Sequence, residues 1–284
     1  TNVEQLELTF DMAFQKWLNL VETEQSISKS NIASYKSVYK NYYASLKNIK
    51  IVDMKTSVIQ QCIDECEKGF NTKRYIKMIA SQVFKYCRDQ LDIPLRKDFS
   101  KGLKIGENVK SEMHQPFTFN EIQKVWENID LDFADGILIT LYTGMRAGEL
   151  LKIELSNVFL EERYMIGGIK TKAGKNRIIP IHEKIVPIVE KLITKNKHYL
   201  IEKNGKQVNY RYFSEKYANI MEQLQMNHKP HDGRHTVATE LDNQGANELC
   251  VKIILGHHVS DLTKGTYTHK KIDQLVATIN LISY

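Results

Sequence analysis

Phe133-Ala134-Asp135-Gly136-Ile137-Leu138-Ile139-Thr140-Leu141-Tyr142-Thr143-Gly144-Met145-Arg146-Ala147-Gly148-Glu149-Leu150 decides how the second half of this 284-residue chain is read. Residues 133–142 are apolar almost all round, the pattern of a helix buried on every side. Thr143-Gly144 interrupts that helix, because glycine readily takes the left-handed conformation that ends one. Helical spacing resumes over 147–153, so Arg146 stands at a helix junction. Taken alone, such an arginine is most simply an ion-pair partner of Glu149, three residues on.

Working outward, residues 163–170 and 177–181 have strand character and are joined by Lys172-Ala173-Gly174-Lys175-Asn176, a basic hairpin turn. Helices are expected over 183–195, 212–224, 236–243 and 248–255, followed by an amphipathic stretch through Ile272, Leu275, Val276, Ile279 and Ile282. Upstream, Thr118 and Glu121 have capping-box spacing and open a helix through Ile122, Val125 and Trp126. Before them, residues 95–116 carry Arg96, Lys97, Lys101, Lys104 and Lys110 without apolar period and read as a basic linker. Residues 8–90 show four runs of helical spacing, with N-cap candidates at 28–31 for the second and at Asn71-Thr72 for the fourth. The expected fold is therefore mainly α with a small β-hairpin or sheet (α+β), divided into a helical domain over 1–94, a linker over 95–116 and a second domain over 117–284.

Composition narrows the function. The chain is long enough for two domains, and 42% hydrophobic residues suffice for real cores. No apolar run approaches the roughly 20 residues needed to cross a bilayer, and the first residues lack the character of a signal peptide, so a cytoplasmic location is expected. Cys62, Cys66, Cys87 and Cys250 show no metal spacing and read as small buried hydrophobes. The formal charge of +6 suits a polyanion, and residues 1–113 hold 18 Lys+Arg against 14 Asp+Glu, the more basic share. Lys73, Arg74, Lys77, Lys85 and Arg88 lie along one expected helix that could meet phosphates, although a solvated face is the simpler reading.

Four short boxes occur in order: Thr143 to Leu150 around Arg146, His231-Asp232-Gly233-Arg234-His235-Thr236, Leu255-Gly256-His257, and Gly265-Thr266-Tyr267-Thr268-His269. Together they resemble the signature of tyrosine recombinases of the phage and transposon integrase type. The chemistry fits that resemblance. Planar guanidinium groups bind the charge of a phosphodiester in transfer, so Arg146 and Arg234 would form a clamp. A phenol is a poor nucleophile at neutral pH unless cations and a proton acceptor assist it.

The resemblance implies that Tyr267 forms a 3′-phosphotyrosyl link, with His231 as proton acceptor or donor and His257 on a non-bridging oxygen. It also implies a hairpin lysine that protonates the leaving 5′ oxygen, Lys170 with Lys172 as the alternative, and Lys172 and Lys175 on the same basic turn are expected DNA contacts. Glu149 would buttress the site. Spacing to the tyrosine is ten residues from His257 and nine from His258, where the family usually has nine. Further implications are double-stranded DNA as partner, a tetramer on two DNA sites docked through residues 272–282, accessory DNA-bending or excision factors, and an origin in a mobile element. Because Thr1 lies close to the helical domain, the additional N-terminal arm-binding domain of many integrases is not expected within residues 1–284.

No cofactor is expected, because a phosphotyrosyl bond conserves the energy of the broken bond. Five of the nine histidines fall within 231–269, but no H-E-x-x-H or comparable pattern completes a metal site. Residues 272–282 could also pack on their own domain. Two rivals remain: a type IB topoisomerase, which shares the chemistry, and a DNA-binding regulator with an inactive site.

Overall fold

A computed structural model describes residues 7–95, 97–108, 115–168, 176–257 and 272–284. It divides into two compact units, Thr1–Ser111 and Glu112–Tyr284. The architecture is mainly helical with two small antiparallel sheets, the α+β class expected.

The first unit is built on four helices: α1 Phe10–Thr23, α2 Lys29–Tyr42, α3 Thr56–Asp64 and α4 Phe70–Asp89. Each turns one apolar stripe inward, and aromatic rings fill the centre, with Phe14 stacked on Tyr39 at 3.7 Å and Phe10 on Tyr43 at 5.2 Å. Ser28 caps α2 by accepting from Asn31 N. The cap expected at Asn71-Thr72 is displaced: α4 begins at Phe70 behind Gly69, whose position carries no side-chain cap. Part of the stretch expected to be linker belongs to this unit. Phe99 and Leu103 are buried in its core, and Gln60 clips Lys104 through both backbone groups. The three cysteines of this unit and Cys250 of the second are free and buried.

The second unit is organised around α6 Ala134–Thr143, which is buried on nearly every side. Before it, α5 Phe119–Glu127 starts at the expected capping box, with Thr118 N donating to Glu121 at 2.8 Å. After it comes the short helix α7 Ala147–Leu150. Strands β1 Val158–Phe159, β2 Tyr164–Gly167 and β3 Arg177–Pro180 form an antiparallel sheet in that order, with Tyr164 opposite Pro180 and Gly167 opposite Arg177. Then follow α8 Val186–Lys195, a hairpin of β4 Glu202–Lys203 and β5 Lys206–Gln207, α9 Tyr210–Gln223, α10 Asp232–Asn243, α11 Glu248–Leu255 and α12 Ile272–Ile279.

Two glycines set the approach of the elements that matter for the site. Gly233 lets α10 close on α6: a Cβ there would lie 3.0 Å from Thr140 Oγ1. Gly144 ends α6 at φ +66°, and its Cα hydrogen faces Leu255 and Val237 across a gap too small for a methyl group. Residues 272–284 pack on their own unit, burying Leu275, Ile279, Ile282 and Tyr284. Tyr284 Oη donates to Leu141 O at 2.7 Å, Arg163 Nη2 to Asn280 Oδ1 at 2.8 Å, and Lys184 Nζ to Tyr284 O. Among the described residues no helix is long and apolar enough to cross a membrane.

Candidate active site

Arg146 occupies the N-cap position of α7 in extended conformation, directly after the left-handed turn at Gly144. Glu149 reaches back from the first turn of α7, its Oε2 accepting from Arg146 N at 2.9 Å and its Oε1 from Arg146 Nη1 at 3.3 Å. The ion pair expected of an isolated arginine therefore exists, but it is lopsided. The carboxylate is sealed, with 1% of its side chain exposed, whereas the Arg146 side chain keeps 40% exposed.

Arg234 lies on the face of α10 that packs toward α6 and is buried. Its Nη1 donates to the Gly144 carbonyl at 3.0 Å, two residues before Arg146, so the turn that presents one arginine also anchors the other. Its Nη2 is buried and has no hydrogen-bond partner among the described residues. Leaving a buried guanidinium N–H unmatched is costly, so Nη2 is a donor for which the described residues supply no acceptor. Burial, followed by repulsion from Arg146 and Arg177, lowers the Arg234 pKa to about 10, which keeps it cationic at neutral pH.

His231 stands at the N-cap of α10, half-buried, its ring edge-on to His235 at 5.0 Å. His257 follows Gly256, the left-handed C-cap of α11, and its backbone N–H closes the helix end on Lys252 O at 3.0 Å. Its imidazole is exposed. Partial burial and the charges of Arg234, Arg146 and Arg177 lower its pKa, which favours the uncharged ring.

Arg177 was not singled out from the sequence. It begins β3 with 5% of its side chain exposed, donating from Nη2 to Glu149 Oε2 at 2.8 Å and from Nη1 to Ile254 O. The signal was present: Arg177 shares a strand face with the buried Ile179, and a charge on a core face must have a partner. Although burial opposes it, the Arg177 charge holds the Glu149 carboxyl below its ordinary range, so it is ionised. Three guanidinium groups against one carboxylate leave a net charge of about +2. That balance fits a phosphodiester, whose negative charge grows as a fifth ligand approaches phosphorus.

Lys170, Lys172, Lys175, His258 and Tyr267 lie outside the described residues. In the first unit, the five basic residues expected on one helix are all on α4 but differ in use. Lys77 Nζ is engaged with Leu103 O at 2.8 Å and Arg88 with Asp89 at 2.7 Å, Lys73 is half-buried, and Arg74 and Lys85 are exposed. No group of three or more metal-ligating side chains is found among the described residues.

Comparison with known proteins gives a consistent picture. Residues 113–273 match the phage integrase family. Tyrosine recombinase XerD of Staphylococcus saprophyticus is 26% identical over 298 residues, covering 93% of this chain and 96% of that protein. Its counterpart in Staphylococcus aureus is 27% identical over 295 residues, covering 92% and 95%. In fold, the chain is similar to the Tn1549 transposon integrase solved with circular intermediate DNA, with a TM-score of 0.73, 19% identity and coverage of 98% and 96%. It is also similar to a lambda integrase solved as a tetramer on a Holliday junction, with a TM-score of 0.73, 14% identity and coverage of 93% and 82%.

Proposed function

The chain belongs to the phage integrase family of tyrosine recombinases, and from that premise we propose that it is a site-specific DNA recombinase that integrates or excises a mobile element. The observation that carries the reading is the convergence of Arg146 and Arg234 on one turn, with a buried unmatched donor on Arg234.

In this reading Arg146 and Arg234 grip the non-bridging oxygens of the scissile phosphate, and His257 donates a further hydrogen bond. Tyr267 Oη attacks phosphorus and passes its proton to His231. The bond from phosphorus to the 5′ oxygen breaks, and Lys170, or Lys172 in its place, protonates that oxygen. The 3′-phosphotyrosyl link keeps the bond energy, so a 5′-hydroxyl from another strand displaces Tyr267 by the reverse route with no cofactor. Four protomers on two double-stranded sites exchange strands in pairs through a Holliday junction, with accessory DNA-bending or excision factors setting direction. The first unit grips the duplex backbone, with Arg74 and Lys85 among its contacts. Charge excess and the exposure of these two side chains support that role.

The decisive test is a nicked suicide duplex carrying DNA from the flanks of the coding sequence, with products run on a denaturing gel beside Tyr267→Phe. A covalent band present in the wild type and lost in the variant is expected. Binding without an adduct would favour an inactive regulator, and relaxation of supercoiled DNA without pairing of sites would favour a topoisomerase. Loss of strand exchange on exchanging Lys170 but not Lys172 would assign the general acid.

A further inference from the structure

Arg177 lies outside all four sequence boxes, yet it touches the supports of two of them. Its Nη2 meets Glu149, which holds the backbone and guanidinium of Arg146, and its Nη1 meets the carbonyl of Ile254 in the last turn of α11, from which Gly256 and His257 depart. Gly256 rests directly on it: a Cβ there would come within 2.8 Å of Arg177 Cδ. Resting on the recombinase reading above, we propose that Arg177 is a positioning residue for strand cleavage, bridging Glu149 and the Ile254 carbonyl so that Arg146 and His257 address the same phosphate.

Stability alone does not account for this arginine. A buried ion pair gains little over a well-packed apolar pair, because both charges lose their hydration. Arg177 Nε, moreover, is buried with no hydrogen-bond partner among the described residues. What the pair supplies is charge placement. With Arg177 present, Glu149 is neutralised from the inside and Arg146 stays 40% exposed. Without it, the only cation among the described residues in contact with the sealed carboxylate is Arg146, which would be drawn inward and away from DNA. The last turn of α11 would lose its tie to β3 at the same moment. Lysine cannot replace this function fully, since one ammonium does not span both acceptors as the planar fork does.

The test uses the full chain on the suicide duplex, with single-turnover cleavage at saturating DNA, DNA affinity, and unfolding temperature measured for each variant. Arg177→Met is expected to cleave about 100-fold more slowly and Arg177→Lys roughly tenfold, at unchanged DNA affinity and at a temperature where each remains folded. In an Arg146→Ala background, Arg177→Met should cost about tenfold at most, because most of its effect passes through Arg146. Wild-type rates for the folded variants, or the same loss with and without Arg146, would overturn the proposal. If Arg177→Met fails to fold, Arg177→Lys decides: a slower rate at unchanged affinity supports the bridge, and a wild-type rate overturns it. Wild-type adduct formation is scored on the same gel. Its absence overturns the recombinase reading and this inference with it, whereas its presence with unaltered Arg177 variants overturns this inference alone.

Discussion

Replacing Gly144 by alanine should be among the most damaging one-carbon changes in the second unit. Two costs add. The left-handed conformation at φ +66° costs an L-residue about 1 kcal/mol. The new methyl would also sit 2.8 Å from Leu255 Cδ2 and 3.2 Å from Val237 Cγ1, inside a closed core. Overpacking of that kind costs about 1–3 kcal/mol. The sum, about 2–4 kcal/mol, corresponds to a fall on the order of 10 °C in the unfolding temperature of a unit this size. Gly245→Ala is the control, since that glycine has φ +65° but nothing within 4 Å of a Cβ, and so incurs only the first cost. The chain has two tryptophans, and Trp126 donates to Tyr142 Oη on α6 itself. A Trp17→Phe background therefore makes fluorescence a reporter of this unit in urea titrations. Equal losses for Gly144→Ala and Gly245→Ala would refute the packing described around the turn. Because the Gly144 carbonyl anchors Arg234, cleavage by any folded Gly144→Ala protein should also fall further than its DNA affinity.

Three further outcomes follow from the same geometry. Arg234→Ala and Arg146→Ala should each slow single-turnover cleavage by about 100- to 1000-fold, as loss of a preorganised charge donor does; near-normal rates would show that neither touches the phosphate. Burial lowers the His182 pKa from 6.5 to about 4, while its ring nitrogens meet Lys184 N and Ile282 O. Folding thus favours the neutral ring, and its stabilisation, up to about 3 kcal/mol, is complete above pH 6.5 and lost as pH falls toward 4. His182→Gln should flatten the stability profile across that window in urea titrations, and an unchanged slope would count against it. Thr118→Ala removes half of the capping box and should cost about 1 kcal/mol by the same titration, with an effect under a few tenths contradicting the cap.

What could be read in the sequence depended on the range of the interaction. The helix of 133–142, the break at Gly144 and the capping box at Thr118 are local, and each appears where expected. Charge masked the role of 97–105, because Lys97, Lys101 and Lys104 surround the two side chains, Phe99 and Leu103, that tie this stretch to the first core. β1 has only two residues, too few for any alternation to show. At the site, residue types and order pointed to Arg146, His231, Arg234 and His257. The long-range contacts were not legible, since Arg234 finds the Gly144 carbonyl 90 residues away and Arg177 finds Ile254 77 residues away. Arg177 is hard to single out because its strand is short and follows the basic run from Lys170 to Lys175, where one more cation does not stand out.

The intramolecular seat of residues 272–284 also sets a rule of exchange. Burying Leu275, Ile279, Ile282 and Tyr284 is worth about 1.5–3 kcal/mol each, so the segment does not leave for an empty surface. A second copy of the chain, however, carries an identical seat. Trading segments between copies preserves every contact, and the balance is then struck between the local concentration imposed by the tether and the concentration of neighbours. Copies brought side by side on one DNA molecule would tilt that balance without any new bond being made.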